Sequence, residues 1–153
     1  MKTQAITVAT AVEHLTAQLA SLPPGTALDI RDPRLPTATL GSNLSRSDWD
    51  DPPGEEPGPV FAALSARYWV LGMDPTDTDP YVDLFKAAWQ GLGWPVEEHE
   101  DLPRSAYART PDGYHFGVIQ SLSGHLSLSV NTPDFLLVSA AEARLPDRLD
   151  HPA

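Results

Sequence analysis

Tyr114-His115-Phe116-Gly117-Val118-Ile119-Gln120-Ser121-Leu122-Ser123-Gly124-His125-Leu126-Ser127-Leu128-Ser129-Val130-Asn131 is the stretch on which the fold turns. Leu126, Leu128 and Val130 alternate with Ser127 and Ser129, the two-residue period of a strand with one buried and one wet side. Ser123-Gly124 reads as a two-residue hairpin loop, so Tyr114 to Leu122 and His125 to Asn131 are expected to pair antiparallel. Upstream, Pro111-Asp112-Gly113 makes a second turn, with proline presetting the first corner and glycine taking a positive φ. That turn leads back to a strand over Ser105 to Thr110 and, beyond the Asp101-Leu102-Pro103 break, to another over Trp94 to His99.

Outward from this meander, Val60 to Gly72 is the best strand of the chain and, being apolar on both faces near its end, a central one. Asp79 is an N-cap candidate and Pro80 a first helical residue for a helix over Tyr81 to Leu92, whose stripe is Tyr81, Phe85, Ala88 and Leu92, widened by Leu84 and Trp89 and stopped by Gly93. At the N-terminus Val8, Val12, Leu15, Leu19 and Leu22 recur at helical spacing over Thr3 to Ser21, and Pro23-Pro24-Gly25 ends that helix. Ala27 to Ile30 suits a short edge strand. Phe135 to Val138 leads into a short alanine-rich helix and a polar tail at about 146–153. Asp32 to Pro59 has no period and carries an acidic, proline-rich heart from Asp48 to Pro57, the composition of a mobile loop. The expected fold is therefore a single α+β domain over residues 1–153, with two layers: an antiparallel meander sheet and two helices packed on one face.

The 153 residues suffice for one hydrophobic core, and 41% apolar with 20% charged residues is a globular composition. Ten lysines and arginines against 21 aspartates and glutamates leave a net charge of -11, which repels phosphate backbones and anionic membranes and favours encounter with a basic protein. The absence of cysteine excludes disulfides, thiolate zinc sites and thiol nucleophiles, and suits a reducing compartment. No apolar run is long enough to cross a membrane, and Met1 to Val8 lacks the core of a signal peptide. A cytoplasmic location is expected, with a soluble domain freed from an export signal as the alternative.

Motifs that carry chemistry are scarce. Asp74, Asp77, Asp79 and Asp83 lack the glycine and closing glutamate of a calcium loop and suit helix capping instead. His99 among Glu97, Glu98, Glu100 and Asp101 suits a solvated acidic edge better than a cation site. His115 and His125 lie on neighbouring strands but out of register. No nucleophile elbow, phosphate loop or dinucleotide fingerprint is present, and no cofactor is expected.

The run Tyr68-Trp69-Val70-Leu71-Gly72, Phe85 with Trp89, Gly93-Trp94, Pro111-Asp112-Gly113-Tyr114 and Gly124 to Pro133 resembles the small actinobacterial lipoproteins of the LppA-like type and their uncharacterised relatives, over about residues 60–134. The resemblance implies a fold and an exported setting but no reaction. Relatives of this type often carry a cysteine after the proline that closes the last strand and another in the loop before the first long strand. Here Asp134 follows Pro133, and the loop offers Trp49 and Asp50, as a cytoplasmic version would.

The first expectation for function is a non-enzymatic binding module, immunity- or antagonist-like, whose sheet and acidic loop meet a basic protein. Its candidate residues are Trp49, Asp50 and Asp51, with Trp94, Tyr107 and Tyr114 among a surplus of aromatics. The alternative is a small-ligand carrier with an aromatic pocket between helix and sheet, lined by Trp89, Trp94, Tyr107 and Tyr114. A metal-dependent hydrolase using acidic residues is a third.

Overall fold

The computed structural model describes residues 2–48, 58–74, 76–99, 101 and 103–153. Thr3 opens α1 (Gln4–Ala20), its extended backbone and its hydroxyl, which accepts from the Ile6 amide, forming the N-cap. β1 (Ala27–Asp29), β2 (Gly41–Arg46) and β3 (Phe61–Leu71) follow. Then come α2 (Asp79–Gly91), the meander β4 (Val96–His99), β5 (Ser105–Arg109), β6 (His115–Gln120) and β7 (Leu126–Asn131), and finally β8 (Phe135–Leu136) and β9 (Arg148–Asp150). All described strands join one antiparallel sheet in the order β4-β5-β6-β7-β3-β1-β9, with both helices on one face: an α+β fold. No described helix is long and apolar enough to cross a membrane.

β3 is the spine. Along one edge it pairs β2 with its first half and β1 with its last three residues. Along the other it pairs β7 and then β8. Ser65 opposes Asn131 and Ala62 opposes Phe135, so three steps on β3 face four on its partner, a one-residue bulge. Thr132 fills it by giving its amide to the Leu64 carbonyl and accepting the Leu64 amide on its hydroxyl.

Several expectations are corrected. The 32–59 segment contains β2, whose Gly-Ser-Asn-Leu-Ser-Arg sequence has too little apolar content to signal a strand and pairs because β3 offers it a continuous partner. β1 is an interior strand, because the polar tail supplies β9 to its outer edge. No alanine-rich helix follows β8; residues 140–142 form a turn. The Ser121 amide donates to the His125 carbonyl, so the β6–β7 loop has three residues, Leu122 to Gly124, with Gly124 at φ +88°. Thr78, not Asp79, occupies the α2 cap, and Asp79 instead accepts from Gln120 on β6.

The helices also turn further than their apolar spacing implies. α1 buries Gln4, Thr7, Ala11, Leu15, Gln18 and Leu19, leaving Val8 and Val12 at the margin. α2 buries Val82, Phe85 and Trp89, leaving Leu84 and Leu92 exposed. Polar side chains on the buried stripe are fully engaged. Gln18 accepts from the Trp89 indole and donates to the His14 carbonyl, while Gln4 ties α1 to the Val138 and Ser139 backbone. An unpaired amide there would cost more than the bond returns, which is why these positions can be polar.

Candidate binding face

Strand registry places each open-face residue. Alternate residues point to opposite faces, and directly opposed residues share one. The helix side receives Ala62, Leu64, Ala66, Tyr68 and Val70 of β3, Phe116 and Val118 of β6, and Leu126, Leu128 and Val130 of β7, all buried. Among the described residues the other side carries no helix. One row of it runs Arg109, His115, Asn131, Ser65, Asn43 across β5, β6, β7, β3 and β2. The next runs Glu97, Tyr107, Gly117, Ser129, Arg67, Gly41 from β4 to β2. A third runs His99, Ser105, Ile119, Ser127, Trp69, Asp29 from β4 to β1.

From β5 to β2 this face holds no aspartate or glutamate, in a chain of net charge -11. A depression of about 640 Å³ occupies its β4–β7 end, lined by Glu97, Tyr107, Arg109, His115, Ser129 and Asn131 with backbone between them. Gly117 is buried between Tyr107 and Ser129 in the middle row. A Cβ there would sit 2.9 Å from both the Tyr107 ring and the Ser129 hydroxyl, so Tyr107 lies across the glycine. At the far end the face is closed over by residues 30–40, pinched where the Leu40 amide meets the Ile30 carbonyl and fastened by the Trp69 indole on the Ala38 carbonyl.

The carboxylates gather elsewhere. Arg104 takes Asp83 at 2.8 Å and Glu98 at 2.6 Å, and Glu98 also receives Lys86. With the Gln120 amide on Asp79, these bonds lock the start of α2 onto the ends of β5 and β6. The Lys86 ammonium first, then the Arg104 guanidinium, hold the Glu98 carboxyl below its usual range. The Arg34 fork does the same for Asp32, against the opposing effect of burial. Asp74 accepts from the Thr76 amide and hydroxyl, a turn rather than a cation cage. Glu97 and Glu98 point to opposite faces, so they cannot converge on one ion. Among the described residues no three histidine, aspartate or glutamate side chains gather as a metal site.

The candidate residues do not form one site. Trp49, Asp50 and Asp51 lie outside the described residues. Trp94 and Tyr114 are buried on the helix side, whereas Tyr107 is on the open side. The pocket they were expected to share with Trp89 is filled by His14 of α1, whose ring meets Tyr114 at 5.0 Å, Trp94 at 5.3 Å and Phe116 at 5.9 Å, edge to face. Trp94 stacks on Phe116, the Tyr114 hydroxyl donates to the Thr7 carbonyl, and Asp112 pairs with His14 at 3.1 Å. His115 and His125 stand at opposite ends of the hairpin, His125 beside Trp69 and Asp32.

Sequence reading passed over Arg67, Arg109, Gly117, Ser129 and Asn131. The alternation that assigned Ser129 to the wet side was a usable signal, but only the registry between strands shows which wet residues stand together. Scans against protein-family models, curated proteins and solved structures find no match to this chain.

Proposed function

We propose that the protein is a non-enzymatic binding module that engages a basic protein partner through its acidic surface, as an immunity or antagonist protein would. The observation that supports this is how the charges are spent. Arg34, Arg46, Lys86, Arg104, Arg144 and Arg148 each pair with carboxylates of this same chain, so the excess of acids is left to act outward. Asp74 and Asp77 are exposed just before α2 and pair with no lysine or arginine among the described residues. Such a field accelerates encounter with a cationic surface and fades with salt.

Capture from native lysate at low and raised salt tests the reading, with an Asp74→Asn, Asp77→Asn double variant alongside. A partner held at low salt, released by salt and weakened in the variant is the expected outcome. No partner, or one that ignores both salt and variant, would refute it.

A further inference from the structure

We infer that the open face of the sheet is a second site, for a small molecule that carries a carboxylate or phosphate on a planar apolar body. It goes beyond the acidic-surface reading, since it uses different residues and the opposite charge.

The placement of cations carries the argument. Among the described residues the side chains of Lys2, Arg31, Arg67 and Arg109 meet no carboxylate of this chain, unlike the six paired cations, and of these Arg67 and Arg109 stand on the open face, whose central strands lack acids. Arg67 is braced by the Ser127 hydroxyl at 3.2 Å, which leaves most of its donors unused. Arg109 is exposed, His115 stands next to it in the same row, and Asn131 stands next to His115. Neighbours in such a row are about 5 Å apart, close enough for their side chains to converge on one oxyanion. A guanidinium with an amide and an imidazole beside it offers several donors, and charge-assisted bonds of this kind are the strong ones.

The floor suits the rest of the ligand. The short Ser129 side chain keeps the centre low, and Tyr107, lying across the buried Gly117, is 38% exposed and offers an apolar surface beside the cation. About 640 Å³ is within the range of small-molecule sites. Glu97 on the β4 rim is the one carboxylate among the lining residues, and it lies 3.7 Å from His99, away from the Arg109 row.

The test is a titration of the full chain followed by amide NMR shifts, with benzoate, phenyl phosphate, inorganic phosphate and neutral benzyl alcohol as probes. Benzoate or phenyl phosphate should give saturable shifts centred on Gly117, Ser129 and Asn131, and the tighter of the two identifies the headgroup. Benzyl alcohol should bind roughly tenfold more weakly or less, and inorganic phosphate more weakly than phenyl phosphate. Arg109→Gln should cost about tenfold in affinity for the anion, while Tyr107→Ala should erase the advantage of phenyl phosphate over inorganic phosphate. Absence of saturable shifts, equal binding of benzyl alcohol, or unchanged affinity in Arg109→Gln would each overturn the site. Because both substitutions are on the exposed face, retention of the basic partner by either variant keeps the two readings separable.

Discussion

The two faces of the sheet are built from the same strands and differ in almost everything else. On β7, Leu128 is wholly buried against the helices while Ser129, one residue along, faces outward beside Gly117. On β4, Glu98 is held by Lys86 and Arg104 at the covered edge while Glu97 stands on the open rim. The covered face has its polar groups paired: Gln18 with Trp89, Tyr114 with Thr7, Tyr68 with Pro146. The open face keeps donors unspent. Stability is thus concentrated on one side.

The largest test of that division is Leu128→Ala against Ser129→Ala. The first removes a packed side chain and should cost about 2–5 kcal/mol in denaturant unfolding, whereas the second should stay within about 0.5 kcal/mol. Comparable losses would mean that the open face is also packed. Gln18→Leu comes next, because it keeps the volume but strands the Trp89 indole N–H, at about 1–3 kcal/mol. Gly117→Ala should cost about 1 kcal/mol by driving the added Cβ into the Tyr107 ring and the Ser129 hydroxyl, and Tyr107→Ala in the same chain should recover part of it. An additive pair would show that the ring does not rest there.

The smallest effect is on the acid limb. The folded Glu98 carboxyl lies below its ordinary range, so its contribution is present above about pH 4 and is lost as pH falls through the folded value. Glu98→Gln should therefore lower the thermal midpoint at neutral pH and converge on the wild type in acid. Glu97→Gln, on the open face and 3.7 Å from His99, is the control.

The division was partly legible in the sequence. Leu126, Leu128 and Val130 against Ser129 revealed which side of β7 is open, although Ser127, expected to be wet as well, is buried, and the turns at Gly113 and Gly124 gave the meander its order. What escaped depends on long-range pairing. β2 is a strand only because β3 runs beside it, β9 because β1 needs an outer neighbour, and the buried Gln18 is polar only because Trp89 reaches it. His14 is not among the apolar positions whose spacing marks α1, yet its ring packs against Trp94, Tyr114 and Phe116. The grouping of Arg109, His115 and Asn131 spans three strands, and no local spacing announces it.

The chain has no cysteine of its own, so single thiols introduced along β7 report the two faces directly. Labelling rates should alternate: Ser129→Cys and Asn131→Cys reacting at close to the rate of an unfolded thiol, Leu128→Cys and Val130→Cys reacting only through unfolding. Equal protection at all four positions, which a second layer over the open face would give, would contradict the two-sided molecule described here.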